Sequence, residues 1–188
     1  MRLDRPEAVG GLVETGGYAR GLRLDAEPGV LVTDFIEGVT LSETSLRDNA
    51  MLARVVPLVR QCHEEVARLV SAPILMFWPF HVARHYAGVL RAGDSRHAAR
   101  LPDLMDKADE LEKAVGPIRP VFGHNDLLPA NFIDDGERLW LIDWDYAGFN
   151  SPLFDLGGLA ANSQLSPEHE AFVLAHYFGA EPDAGLWR

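Results

Sequence analysis

A chain of 188 residues with 47% hydrophobic and 24% charged residues is long and apolar enough to bury a core, which excludes global disorder. A formal net charge of -11 excludes the basic face expected of a general nucleic-acid binder. A single cysteine, Cys62, excludes an intrachain disulfide framework and a cysteine-built zinc site.

Residues 1 to 29 are rich in Gly and acidic residues and weakly patterned; "RPEAVGGLVETGG" has room for one short helix. The run "VLVTDFI" that follows is β-branched and aromatic and stops at Glu37-Gly38, which predicts a buried strand ending at a turn. From Ser45 to Leu69 apolar residues recur at helical spacing: Leu46, Leu52, Val55, Val56, Val59, Cys62 and Val66 lie on it. Pro57 interrupts this stretch, so a kink or a pair of helices is expected. Residues 80 to 91 and 101 to 115 predict two more helices, the second amphipathic and closed by Gly116 and Pro117.

The pattern then changes. "RPVFGHNDL" predicts a strand running into a loop. "NFIDDGERLWLID" predicts two short strands around an Asp135-Gly136 turn. "PLFDLGGLAAN" starts a helix, and "SPEHEAFVLAHYF" is a helix with Ser166 as N-cap and Pro167 in the first turn. No leader-like N-terminus and no apolar run of membrane-spanning length is visible, so the expectation is a cytoplasmic protein with no membrane and no nucleic-acid partner.

The chemistry lies in three polar residues placed among long apolar ones. Burying a carboxylate is costly unless it is paired, hydrogen-bonded or bound to a metal. Asp126 follows a strand, Asn131 opens the next, and Asp143 closes the second strand of the hairpin, which returns it toward Asn131. Oxygen ligands without Cys or paired His suit Mg²⁺, which keeps waters and shares substrate phosphates. A further carboxylate could orient a hydroxyl and take its proton. Together these are the equipment of phosphoryl transfer.

His124-Asn125-Asp126, four intervening residues and Asn131 have the spacing of a kinase catalytic loop, and Ile142-Asp143-Trp144 stands where a metal-binding Asp-Phe-Gly would. The stretch "HNDLLPANFI…LWLIDWDYAGFNSPLFDLGGLA" resembles the choline/ethanolamine kinase and aminoglycoside phosphotransferase superfamily, and "HNDLLPAN" with "IDWDYA" resembles its choline kinase branch more closely. "VLVTDFIEGVTL" resembles the hinge between the kinase lobes, and "WPFHVARHY" the family's middle helical segment.

The resemblance implies an α+β, protein-kinase-like fold: an N-lobe remnant and hinge over residues 1–38, then a mainly helical C-lobe with a catalytic-loop hairpin over 39–188. It implies an ATP- and Mg²⁺-dependent transfer of phosphate to the hydroxyl of a small cationic acceptor, choline or ethanolamine. In this sequence Asp126 would be the base, His124 the brace of its loop, and Asn131 and Asp143 the Mg²⁺ ligands. Asp155 would tie the loop to the following helix through backbone hydrogen bonds. Asp34, Phe35 and Ile36 form the segment where backbone would pair with adenine. Trp144, Asp145 and Tyr146 lie where the acceptor would be held; an ammonium over an aromatic face beside a carboxylate suits choline. An aminoglycoside acceptor shares the same site, and a truncated, non-catalytic binding module is the other alternative. The latter is raised by the lysines: Lys107 and Lys113 are the only two, both far beyond the hinge, whereas a kinase uses a strand Lys on the phosphates. The chain accordingly reads as a C-lobe and hinge cut at both ends.

Other motifs are weaker. "DWDYAG" resembles a calcium loop, but Ala147 and Phe154 stand where ligands belong. His81 and His85 have metal-compatible spacing without a third ligand and read as surface residues. "GGYARG" lacks the order of a phosphate loop. His63-Glu64-Glu65 reads as a solvated helix face, and Cys62 as a small packing residue.

Overall fold

The computed structural model describes residues 21–25, 30–33, 35–70, 74 and 76–179. The short helix expected within residues 1–29, the Gly-rich segment up to Arg20 and the backbone of Asp34 lie outside them.

The N-terminal part is a hairpin of β1 (Gly21–Asp25) and β2 (Val30–Thr33), which pair antiparallel with a bulge between Gly21 and Arg23. The strand expected through Ile36 ends at Thr33, and Phe35 is 88% exposed. Among the described residues β1 and β2 pair only with each other.

The chain next enters a three-stranded sheet of order β3-β5-β6, formed by β3 (Val39–Thr40), β5 (Phe132–Asp134) and β6 (Leu139–Leu141). Val39 opposes Asp134, and Thr40 opposes Ile133. Gly38 permits this approach, since a Cβ there would lie 2.7 Å from both the Asp134 carbonyl oxygen and Ile133 Cγ2. The β5–β6 turn forms as its sequence predicts. The Asp135 carboxylate accepts from the backbone N–H groups of Glu137 and Arg138 and from Trp140 Nε1, and Gly136 takes φ 91°. A separate antiparallel pair joins β4 (Val121–Gly123) to β7 (Gly148–Asn150). β7 has no counterpart in the sequence reading.

Helix α1 (Glu43–Leu46) opens with a reciprocal Ser42–Ser45 capping box. Helix α2 (Asn49–Gln61), capped by Asp48, runs unbroken past Pro57, whose ring faces solvent. It then widens into a π turn over Cys62–Val66 before its last turn, Ala67–Leu69. Helices α3 (Pro79–Ala92) and α4 (Leu101–Val115) pair as a hairpin, held where Arg84 meets Asp109 and Glu112 and where Trp78 Nε1 donates to Glu112. Helices α5 (Pro152–Ser163) and α6 (Pro167–Phe178) begin at Ser151 and Ser166, whose hydroxyls accept from Leu153 and His169 N–H.

One core joins these pieces. Leu52, Val56 and Val59 of α2 pack with Phe132, Leu141, Leu159 and Leu174. Each fully buried aliphatic side chain contributes about 1.5–3 kcal/mol. A smaller cluster of Cys62, Val66, Phe122 and Ala147 lies under the β4–β7 pair. The loops around residues 124–131 and 142–147 sit between the two clusters, and packing on both sides holds them.

Candidate active site

The loop begins where β4 ends. His124 is fully buried and its backbone N–H donates to Asp155 Oδ2 at 2.8 Å. Its Nε2 lies 2.8 Å from the Ile142 carbonyl oxygen, which can only accept, so the proton belongs on Nε2. Nδ1 is then the acceptor for the Asp126 backbone N–H at 3.3 Å. Burial holds the His124 imidazole below its ordinary pKa, against the opposing pull of the Ile142 bond and of Asp155, Asp126 and Asp143. The neutral ring thus pins Asp126 to the end of β6, and Trp144 stacks edge-on against it at 4.9 Å.

Asp126 is half-buried, and its carbonyl oxygen accepts from Leu128 N–H and from Asn131 Nδ2, both at 2.8 Å. Asn131 closes the 3₁₀ turn Pro129–Asn131 and is only 6% exposed. Its Oδ1 makes no hydrogen bond among the described residues. Ser163 Oγ is the one sealed side-chain polar atom without a partner there, so the Asn131 oxygen is not completely sealed. The hairpin returns as predicted: Ile142 N–H donates to the Asn131 carbonyl at 3.0 Å, which sets Asp143 one residue beyond that pairing. Asp143 is exposed and held at φ 63°, a strained backbone for a residue other than Gly.

This donor set fits Mg²⁺. No group of three His, Cys, Asp or Glu among the described residues could hold a metal alone. Asn131 and Asp143 carry side-chain oxygens of the kind Mg²⁺ takes in a shell completed by waters and phosphate oxygens.

The remaining predicted residues separate by burial. Trp144 packs into both apolar clusters and its Nε1 donates to the Leu141 carbonyl. Asp145 and Tyr146 face solvent, Tyr146 with Phe77 edge-on at 6.0 Å. Phe35 is exposed and Ile36 half-buried. His81 and His85 are exposed, and Cys62 is buried against the Phe122 carbonyl.

Asp155, on α5, is 2% exposed. Oδ2 accepts the His124 N–H, Oδ1 accepts the Asn125 N–H at 2.6 Å, and His63 Nε2 lies 2.8 Å from Oδ2. His63 corrects the sequence reading. It is not on a solvated face; it is 3% exposed. Its Nδ1 lies 2.7 Å from the hydroxyl of Tyr177, which burial, with Glu64 nearby, keeps protonated far above the usual range. A signal for this was present. Leu52, Val56, Val59, His63 and Val66 fall at spacings of four and three, so His63 occupies the apolar stripe itself. Its acidic neighbours, Glu64 and Glu65, masked it; Glu64 does face out, paired with Arg60.

The choline/ethanolamine kinase family model matches residues 27–163, nearly three-quarters of the chain. The chain belongs to the choline/ethanolamine kinase family. Among curated proteins of similar sequence, Protein LicA of Haemophilus influenzae is 34% identical over 157 residues, covering 82% of this chain and 57% of LicA. Among solved structures, a choline/ethanolamine kinase family protein from Mesorhizobium loti superposes with a TM-score of 0.80 at 29% identity, over 97% of this chain and 62% of that one. Choline kinase LicA from Streptococcus pneumoniae gives 0.73 at 26% identity, over 90% and 58%, and a LicA structure in complex with AMP gives 0.60. The chain therefore spans a little under 60% of the curated relative's length. The family match contains His63, the loop, the hairpin and Asp155, whereas Tyr177 lies beyond it.

Proposed function

We propose that the site transfers the γ-phosphoryl group of ATP to the hydroxyl of a small cationic amino alcohol, choline or ethanolamine. The observation that carries this is the His124-centred loop. One neutral histidine fixes Asp126 against β6, while Asn131 and Asp143 present oxygens from the ends of the same hairpin. The family membership and the AMP complex of LicA support it.

Asp126 is the base. It orients the acceptor hydroxyl and takes its proton as the new O–P bond forms and the bond from the γ-phosphorus to the β-phosphate bridging oxygen breaks. Asn131 and Asp143 hold the Mg²⁺, which when bound supplies neutralisation of phosphate charge. The strained Asp143 backbone is consistent with that task, since strain of this kind persists where the surroundings over-determine it. Adenine binding is assigned to residues 34–36, within a hinge and N-lobe segment covering 1–38, and the C-lobe is taken to begin at Val39. Asp145 and the exposed Tyr146 hold the acceptor's ammonium, an interaction worth about 0.5–2 kcal/mol over an aromatic face. Trp144 acts behind them as packing.

The test is an ADP-release assay with ATP, Mg²⁺ and a panel of choline, ethanolamine and aminoglycosides. Transfer to an amino alcohol, reduced by at least about a thousandfold in Asp126→Asn with nucleotide binding retained, is the expected outcome. Asp143→Ala should weaken Mg²⁺-dependent nucleotide binding, and equal affinity would remove it as a ligand. Preferred transfer to an aminoglycoside overturns the acceptor assignment, and transfer to none overturns the activity of this chain.

A further inference from the structure

We propose that Asn125 is a positioning residue that latches the loop of Asp126 to the turn carrying Asp143, Asp145 and Tyr146, so that base and metal ligand move as one unit. This deepens the phosphoryl-transfer reading and rests on it for its functional meaning.

Asn125 lies between two residues assigned to the site, and its side chain turns away from it. Nδ2 sits against three carbonyl oxygens, of Tyr146 at 3.0 Å, Gly148 at 3.2 Å and Gly123 at 3.5 Å. Oxygens that can only accept fix the amide orientation, since the flipped amide would meet them with its own oxygen. Oδ1 accepts from Asn150 Nδ2 at 3.1 Å, and Asn150 is fully buried on β7. The Asn125 backbone N–H meanwhile donates to Asp155. One residue therefore ties together α5, β4, β7 and the turn after Asp143.

Two local features serve this arrangement. Asn125 adopts φ 64°, a conformation Asn tolerates better than most residues. Gly123 leaves the necessary room: a Cβ there would lie 3.0 Å from Asp155 Oδ2 and 3.1 Å from Asn125 Oδ1. Apolar packing holds one side of the turn, where Trp144 touches both clusters and Ala147 is buried; the Asn125 amide holds the carbonyls of Tyr146 and Gly148. Asp143, Asp145 and Tyr146 are all exposed. The Ala147 N–H to Trp144 carbonyl bond closes it from within.

The test uses Asn125→Gly, which accepts φ 64° without strain and deletes the side-chain bonds, and Asn125→Asp, which keeps the size but replaces the donor with an acceptor. Amide hydrogen exchange is read residue by residue on the full chain. In both variants residues 144–149 should exchange about tenfold faster or more, while the amides of α2 and α6 remain unchanged. Unchanged exchange at 144–149, or acceleration spread evenly over all elements, overturns the latch. In the ADP-release assay Asn125→Gly should lower kcat about tenfold and leave KM for ATP within about twofold, the split expected when alignment rather than binding is lost. An unaltered kcat overturns the functional coupling. A wild-type chain without turnover overturns the phosphoryl-transfer reading instead, and the exchange comparison alone then decides the latch.

Discussion

Removing the Asp155 carboxylate should destabilise the whole lobe, because three buried donors converge on it. The His124 and Asn125 N–H groups and His63 Nε2 lie 2.8, 2.6 and 2.8 Å from its oxygens, and Asp155 is 2% exposed. Each donor orphaned in Asp155→Ala costs about 1–3 kcal/mol of desolvation, and the losses are not additive because the groups share one site. Removing one partner of a buried hydrogen-bonded pair costs about 3–5 kcal/mol, which sets the expected total. For a chain of this length that is a fall in Tm on the order of 10 °C. Asp155→Asn retains one acceptor oxygen but turns an NH₂ toward a donor, so about 2–3 kcal/mol is expected. Urea unfolding followed by tryptophan fluorescence measures both. A loss below about 1 kcal/mol for Asp155→Ala with an unchanged m-value would refute the argument, since the carboxylate would then not be the shared acceptor.

Three more outcomes follow from the same geometry. Because burial depresses the His124 pKa, unfolded His124 protonates first as pH falls below about 6.5. The stability it contributes is present above that pH and is lost as pH falls through the folded value. The stability gap between wild type and His124→Gln should therefore narrow from pH 7.5 to pH 5, and a constant gap refutes the neutral imidazole. Asp143→Gly should relieve the φ 63° strain and raise unfolding stability by about 0.5–1 kcal/mol while weakening Mg²⁺-dependent nucleotide binding; a stability loss refutes the strain. Gly38→Ala should cost about 1–3 kcal/mol by pressing a Cβ against the Asp134 backbone, and an unchanged urea midpoint refutes that close approach.

Local features were legible in advance because their causes are local. Ser166 caps α6 through a neighbour three residues on, and the Asp135-Gly136 turn closes on its own carboxylate. The stripe from Leu52 to Val66 announced a buried helix face by its spacing alone. The spacing from His124 to Asn131 and on to Asp143 was readable for the same reason, since one short turn and one hairpin carry all three.

What the chain itself determined is the hairpin, the caps, the apolar stripe and the kinase-like spacing of its polar residues. Tertiary structure decided which polar residues are buried and with whom. His63 meets Asp155 across 92 positions and Tyr177 across 114, so no local pattern could pair them. Phe35 is exposed, beyond the end of β2, although its own sequence reads as part of a buried strand. Asn125 reads as a spacer between His124 and Asp126 until β7 folds against β4 and brings the Tyr146 and Gly148 carbonyls to its amide. Periodicity reports which face of an element turns inward. The partner a buried polar group finds there depends on elements far away in sequence.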